Sequence, residues 1–375
     1  MTTNTQPPDE AVDEAPGGPV EGAAAGLRRR RRLGGGGTLG RYVLVRFALI
    51  FPTIFILVTT VFVLMRSTGD PITAAQGGRL PADQLAERIH QAGYDRPILT
   101  QYLEYLGNIV RGDFGTTLSD NRPVTEVLTT FGTATLELAF FALIVAFAVG
   151  IPLGRRAAYF RDKAPDAVLR VFAILCYATP VFFAGLLLKL VFSRWLGWLP
   201  VAGRASTSTE VEMQRLVKPS GLYLLDAIQL GDPAIVLDVL QHAVLPALAL
   251  GLLTGGIFLR LVRTNVIGTL GSGYIEAARS RGVPERQLLR THAYRPALIP
   301  IVTVMGMQIA MLLGGAVLTE TTFEWKGLGF QLAEYLQARD FVAVQGLVAA
   351  LAVIVAVSNF VVDVLAAFID PRVRY

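Results

Sequence analysis

Ionisable residues inside apolar stretches are the first candidates for chemistry in this chain. Glu137, Lys189 and Asp363 each interrupt a long run of apolar residues. Charged groups in a lipid bilayer are costly, and those that are retained often mark a proton or ion relay. All three lie close to one end of their run, where a side chain can reach the lipid headgroups. We therefore interpret them as interfacial groups, and a gradient-driven carrier that uses them stays open as an alternative.

The chain has few residues that could carry thiol, imidazole or hydroxyl chemistry. The chain has one cysteine, Cys176, and three histidines that lie far apart, His90, His242 and His292. A single thiol forms no intramolecular disulfide, and no second ligand stands at the spacing of a zinc site. We find no Ser and His, and no paired Asp, on separate apolar runs, as a membrane-embedded hydrolase requires. The sequence thus predicts no metal site and no catalytic residue, with such a hydrolase as the second alternative.

ATP chemistry requires a phosphate-binding loop of the form G-x-x-x-x-G-K-[ST] between a strand and a helix. The nearest imitation starts at Gly35 and has Arg41 and Tyr42 where Lys and Ser or Thr belong. No strand pattern precedes it. We therefore expect this chain to bind no cofactor of its own, so that any ATP and Mg²⁺ must be bound by a partner subunit.

The polar stretch at 272–300 predicts two short helices that meet at a corner. Gly282 stands just past the first helix, where a left-handed conformation costs a glycine little. Pro284 and Glu285 stand in the opening turn of the second helix, which suits a fixed φ and the positive helix end. Four residues of the first helix recur at helical spacing and therefore share one face. The side chains in the middle of this face are small, so the face could enter a groove of another protein. That face consists of Tyr274, Ala277, Ala278 and Arg281.

The elements that must position this corner are membrane spans. Apolar residues make up 53% of the 375 residues and charged ones 17%, against roughly 45–50% and 25% in soluble domains. Each apolar run is near the ~20 residues that a helix needs to cross a bilayer. The chain is therefore predicted to be all-α, a polytopic membrane protein with six transmembrane helices. The predicted spans are 43–65, 133–153, 171–192, 243–259, 298–319 and 341–369.

Basic residues set the predicted orientation. Five arginines at 28–32 precede the first span, five basic residues lie between 155 and 170, and seven arginines lie between 260 and 295. By the positive-inside rule these segments, the corner and both termini are cytoplasmic. Residues 1–40 are rich in Pro, Gly and Ala and are predicted to be a disordered cytoplasmic tail. The first span and a large extracytoplasmic loop follow at 41–132, and the transmembrane core occupies 133–375.

Small residues and prolines inside the spans indicate close packing or breaks. The fifth span carries a stripe that we assign either to helix packing or to the translocation path: Gly306, Gln308, Ala310 and Gly314. Two pairs with the same spacing are interpreted as packing contacts, Gly150 with Gly154 and Gly251 with Gly255. Three prolines are candidates for kinks in spans one, three and four, namely Pro52, Pro180 and Pro246.

The corner resembles the coupling loop of the permeases of ABC importers, which carries Glu-Ala-Ala, three residues and then Gly. Here these residues are Glu276, Ala277, Ala278 and Gly282. Further likenesses, to the peptide, dipeptide and nickel branch of these permeases, run from about residue 41 to the last. They are Gly69-Asp70-Pro71, Asp95-Arg96-Pro97, Arg111 to Gly115, Leu196 to Pro200, Gly327-Leu328-Gly329 and Asp370 to Tyr375.

The resemblance implies a type I ABC importer transmembrane domain in the cytoplasmic membrane of a prokaryote. Its coupling loop would lie near 264–297. The implied partners are a homologous second permease subunit, two ABC ATPase subunits that bind ATP and Mg²⁺, an extracytoplasmic solute-binding protein and the lipid bilayer, without nucleic acid. The implied substrates are dipeptides or oligopeptides, with nickel or another solute as the alternative.

Overall fold

The structure, a computed structural model, describes residues 37–67, 69–76, 78, 80–215, 219–294, 297, 304, 308, 312 and 316–369. All regular elements in these ranges are helices. The first half contains α1 (Gly37–Ser67), α2 (Pro71–Gln76), α3 (Ala82–Gln91), α4 (Ile98–Val110), α5 (Val124–Tyr159), α6 (Ala164–Ala178) and α7 (Val181–Leu188), which continues as a π-helix (Lys189–Trp195). The second half contains α8 (Thr207–Met213), α9 (Tyr223–Leu230), α10 (Pro233–Leu270), α11 (Gly273–Ser280), α12 (Glu285–Gln287) with a π-helix (Leu288–Ala293), α13 (Val317–Phe323), α14 (Leu328–Gln337) and α15 (Phe341–Ile369).

Among the described residues, four helices are long and apolar enough to cross a membrane, and they contain predicted spans one, two, four and most of span six. They are Gly40–Ser67, Val124–Tyr159, Pro233–Leu270 and Phe341–Val364. The predicted third span corresponds to α6 and to α7 with its π-helical continuation, which together are called the α7 unit. They are bent by 105° and form a broken span or a re-entrant loop. Most of the predicted fifth span, 298–319, lies outside the described residues, as do residues 1–36 of the predicted tail; residues 37–40 begin α1. The count of six spans and the division at 132 stay predictions.

The break in the third span is caused by Pro180. Thr179 has extended dihedrals, φ −77° and ψ 128°, and Pro180 stands just before the first residue of α7. A residue that precedes proline is disfavoured in the α region, so the helix ends there. Pro52 and Pro246 instead lie inside α1 and α10, which continue through them.

Helices α5 and α10 pack in parallel along the centre of the bundle and lack space for side chains at three glycines. A Cβ on Gly150 would lie 2.7 Å from the carbonyl oxygen of Gly255. A Cβ on Gly154 would lie 2.7 Å from the carbonyl oxygen of Leu259, and one on Gly251 would lie 2.6 Å from that of Ala142. Backbone atoms cannot yield as a flexible side chain does. The interpretation of these glycines as packing contacts is therefore confirmed.

The bundle has two ends. The corner end holds α11 and α12, and the loop end holds α2 to α4 together with the segments 196–215 and 219–232. At the loop end Asp340 is fully buried. Its carboxylate accepts hydrogen bonds from the backbone N–H groups of Leu118 at 2.6 Å and Ser119 at 2.8 Å. It also accepts from the N–H of Ala343 at 3.0 Å, which caps α15 and ties the 113–123 loop to that helix.

Candidate functional site at the corner after α10

The corner is a helix end that a glycine closes. Gly282 has φ +81°, in the left-handed region. Its N–H donates to the carbonyl of Arg279 at 2.9 Å, and the N–H of Val283 donates to the carbonyl of Ala278 at 3.3 Å. These two bonds satisfy carbonyls at the end of α11 in a Schellman motif. Pro284 then precedes Glu285, the first residue of α12. The predicted backbone of the corner is therefore confirmed.

A small apolar core lies beneath the corner. Ile275, Leu288 and Ala293 are fully buried and pack together with Ala278 and Val283. Ala278 and Val283 are the residues whose apolar contact accompanies a Schellman motif. The corner is thus a packed unit that holds α11 and α12 at a fixed angle.

The outer surface of the corner carries most of the residues singled out from the sequence. Tyr274 is 52% exposed. Glu276, Ala277, Arg281 and Pro284 are exposed as well. Ala278 differs from the expectation, because it is partly buried against the apolar core and lies at the edge of the predicted face. The open face therefore consists of Tyr274, Ala277 and Arg281, with Glu276 on another side of the helix.

Polar contacts span the two helices of the corner. Arg279 on α11 pairs with Glu285 on α12 through Nε and Oε1 at 2.5 Å. The Glu285 carboxylate holds the pKa of Arg279 above its usual range. The hydroxyl of Tyr274 donates to the carbonyl of His292 at 3.3 Å. Exposed pairs contribute little to stability, so the packed core beneath the corner holds the angle between the helices more than these contacts do.

The corner is joined directly to the central helices. Leu289 and Tyr294, which follow α12, pack in one cluster with Ala158 of α5 and with Val262 and Val266 of α10. Only Gly271 and Ser272 separate α10 from α11. A force applied to the corner therefore reaches α5 and α10 through packed side chains.

A buried ion pair near the corner end was missed by the sequence reasoning. Asp166 at the start of α6 is fully buried and accepts two hydrogen bonds from Arg263 of α10, at 2.6 and 2.7 Å. It also accepts from the backbone N–H of Asp162 at 3.1 Å. From the sequence, Arg263 is only one of the seven arginines between 260 and 295 that indicate a cytoplasmic location. Its side chain ties α6 to α10.

A second buried pair lies at the loop end and corrects the interpretation of Glu137. That carboxylate is 4% exposed and does not reach an interface. It accepts a hydrogen bond from Nη2 of Arg204 at 2.6 Å and another from the N–H of Leu224 at 2.7 Å. Arg204 also stacks on Tyr223, with its guanidinium carbon 3.7 Å from the ring centroid. No sequence signal points to this pair, because its members are far apart in the chain.

Glu320 forms the neighbouring polar contact. It is fully buried and accepts hydrogen bonds from Thr135 at 2.7 Å and from the N–H of Phe330 at 2.9 Å. A Cβ on Gly327 would lie 2.5 Å from this carboxylate, so glycine is needed where α14 begins. Trp325 is fully buried beside it and donates to the carbonyl of Ala134 at 2.8 Å. The α13–α14 hairpin is thereby fixed to α5.

The remaining sequence candidates have simpler surroundings. Lys189 donates to the carbonyl of Thr322 at 2.8 Å. Asp363 pairs with Arg46 of α1 at 3.1 Å. In the stripe of span five, Gln308 is helical and partly buried. Gly306, Ala310 and Gly314 lie outside the described residues, so the assignment of this stripe stays a prediction.

Comparison with known proteins gives the class to which this arrangement belongs. A sequence model described as binding-protein-dependent transport system inner membrane component matches residues 150–375. The chain is 36% identical to the di/tripeptide transport system permease protein DppB of Pseudomonas aeruginosa (strain UCBPP-PA14), over 88% of this chain and 97% of the relative. It is 35% identical to the dipeptide transport system permease protein DppB of Escherichia coli (strain K12), over 89% of this chain and 99% of the relative. Structural similarity to a chain of the MetNI methionine ABC transporter in an inward facing conformation has a TM-score of 0.47 at 16% identity, over 66% of this chain and 97% of that chain.

The fold and the corner define an all-helical membrane subunit of a transport system. The chain belongs to the binding-protein-dependent transport system inner membrane component family. The resemblance inferred from the residues of the corner and of the flanking motifs is confirmed.

Proposed function

We propose that this chain is the membrane-spanning permease subunit of an ATP-driven importer and forms part of the path that peptides take across the cytoplasmic membrane. The observation that carries the proposal is the corner, an exposed and internally packed unit joined to α5 and α10. Such a unit is suited to receive a force and pass it to the central helices. Tyr274, Glu276, Ala277, Arg281 and Pro284 would contact the ATPase subunit, with Ala278 and Gly282 supporting them.

The proposed partners supply the functions that this chain would lack, which are ATP hydrolysis and delivery of the substrate. Two ATPase subunits would bind ATP and Mg²⁺, since the sequence of this chain lacks the pattern of a phosphate-binding loop. A homologous second permease would complete the path, and an extracytoplasmic solute-binding protein would deliver the substrate. The corner end and both termini would be cytoplasmic, because the arginine-rich segments 28–32 and 260–295 favour that side of the membrane. Gly306, Gln308, Ala310 and Gly314 would line the path or its gate.

Peptides are the proposed substrate, because the two relatives described above are permeases for dipeptides and tripeptides. Nickel or another solute is the alternative. A gradient-driven carrier is disfavoured by the surroundings of its candidate relay groups. Glu137 and Asp363 are each paired with an arginine, and such pairing favours a structural role for the carboxylate over a role in a proton relay.

Transport by the reconstituted system tests this proposal. Liposomes that contain both permeases and the ATPase subunits, supplied with the binding protein, should take up a labelled dipeptide only with ATP and Mg²⁺. This chain alone in nanodiscs should not hydrolyse ATP. Uptake driven by a proton gradient without ATP would contradict the proposal in favour of a carrier. ATP-dependent uptake of nickel chelates but of no dipeptide would overturn the assigned substrate.

A further inference from the structure

A cavity of about 170 Å³ lies at the loop end, where the end of α1 and the start of α15 meet α4. The segments 92–94 and 113–115 complete its wall. One water takes up about 30 Å³ of liquid, so the cavity could hold roughly five or six waters. Pockets for drug-sized ligands are larger, about 300 Å³ or more. A ligand at this position would therefore be no larger than an amino acid.

Arg66 provides a positive charge inside the cavity. Its guanidinium carbon lies 4.4 Å from the ring centroid of Tyr94 and 5.3 Å from that of Phe62. Arg66 is partly exposed and its guanidinium lies beside the Tyr94 hydroxyl, but its Nε is buried without a hydrogen-bond partner. Among the described residues no carboxylate forms an ion pair with Arg66, and a partly buried cation without a counter-ion is unfavourable. The group that complements this position is an anion that can accept a hydrogen bond from Nε.

Two neutral side chains that line the cavity with Arg66 have polar atoms that are not fully hydrogen-bonded. The side-chain nitrogen of Gln101 donates to the carbonyls of Tyr94 at 3.0 Å and Arg96 at 2.8 Å. These bonds fix the orientation of the amide, and its buried Oε1 has no donor. The buried hydroxyl of Tyr105 lies close to the side chain of Gln345 but forms no hydrogen bond of standard geometry. Burial raises the pKa of Tyr105 to about 12, so the hydroxyl keeps its proton and can donate or accept.

Two exposed acidic residues, Glu104 and Asp113, line the same cavity. Glu104 is paired with Arg96 at 2.7 Å. Asp113 accepts from the N–H of Gly115 at 2.9 Å and forms no ion pair with the described residues. The cavity is therefore lined by a partly buried positive charge and by a more exposed negative charge. A molecule with a carboxylate at one end and an ammonium group at the other matches both.

We propose that this cavity is a binding site for a small zwitterion of the size of a free α-amino acid. The carboxylate would bind Arg66, and the ammonium group would lie toward Asp113 and Gln101. The site belongs to the loop end and is independent of the corner. It does not rest on the proposed transport function, because binding needs neither ATP nor partner subunits. Ordered water is the other possible occupant.

Binding to the full chain in nanodiscs tests the proposal, with L-alanine as the probe and saturation-transfer NMR or scintillation proximity as the readout. L-alanine should bind saturably, once per chain. Acetate and methylammonium should each compete much more weakly, because each fills one end of the site. Arg66→Met should weaken binding at least about tenfold, as expected for loss of a charge-assisted contact. Asp113→Asn should also weaken binding while keeping the oxygen that accepts from Gly115.

Arg111→Met is the matched control, since Arg111 is exposed just after α4 and does not line the cavity. This variant should bind L-alanine as the unchanged chain does. Thermal unfolding provides a second readout, in which L-alanine should raise the melting temperature of the unchanged chain and of Arg111→Met. It should raise that of Asp113→Asn less, even if Arg66→Met does not fold. Absence of saturable binding, or equal binding by the Arg66 and Asp113 variants and the control, would show that the cavity holds water only.

Discussion

The Gly282→Val variant is expected to insert normally and to lose most of its association with the ATPase subunits. Gly282 has φ +81°, and a Cβ there would meet no atom within 4 Å. The cost is therefore in the backbone, about 1–2 kcal/mol for a left-handed residue with a side chain and more for a β-branched one. The chain avoids this cost by leaving the left-handed region, which breaks the Schellman bonds and changes the angle between α11 and α12. The measurement is copurification of the ATPase subunits, together with substrate-stimulated ATP hydrolysis in the reconstituted complex.

Three variants make this result specific. Gly273→Ala has open space around the added Cβ and no left-handed backbone, so it should behave as the unchanged chain does. Gly282→Asn should keep most of the association, because asparagine tolerates the left-handed region. Glu276→Lys should weaken association by reversing an exposed charge, without any change of backbone. Full copurification and full stimulation in both Gly282→Val and Glu276→Lys would show that the corner is an ordinary loop.

Loss of stability by about 3–5 kcal/mol is expected for Arg204→Met, as for removal of one partner from a buried ion pair. Arg204 and Glu137 have side chains that are 7% and 4% exposed. The substitution leaves the Glu137 carboxylate buried with one remaining donor, the N–H of Leu224. The segments 201–215 and 219–224 should then be held less firmly against α5. Equilibrium unfolding of the chain in detergent, followed by fluorescence, measures the change.

An exposed pair provides the control for that experiment. Arg215 pairs with Glu212 while 69% exposed, so Arg215→Met should change the free energy of unfolding by less than about 1 kcal/mol. The double variant Arg204→Met with Glu137→Leu should recover part of the lost stability, because it removes the unpaired charge. If Arg204→Met were as stable as Arg215→Met, the buried pair would have no structural role.

The long helices could be predicted from the sequence because membrane spans appear as uninterrupted apolar runs. Their full lengths could not, since the polar turns beyond the membrane do not differ in composition from loops. Helix α10 begins at Pro233, whereas the predicted span begins at 243. Asp232 caps the helix there by accepting a hydrogen bond from the N–H of Ala234 at 2.8 Å. Pro180 was identified as a candidate kink, but the 105° bend also depends on how α6 and the α7 unit pack.

The corner was predictable for a local reason. Glycine and proline restrict or release the backbone at their own positions, so Gly282 and Pro284 specify the turn without help from the rest of the chain. The ion pairs of Asp166 with Arg263 and of Glu137 with Arg204 depend instead on contacts between distant segments. A single sequence shows where such charges lie along the chain but not which of them pair in the fold. The partial burial of Ala278 was missed because Ile275 directs that side of α11 inward.

Cross-linking from the corner tests the proposed coupling most directly. Cys176 is the only cysteine, so replacing it with Ser permits a single probe at Ala277 or, as a control, at Trp198, which is 66% exposed at the loop end. In an assembled complex that transports dipeptide, a cysteine at 277 should cross-link to an ATPase subunit, and one at 198 should not. An active complex in which position 277 gives no cross-link to an ATPase subunit, or in which position 198 does, would contradict the assignment of the corner as the coupling site.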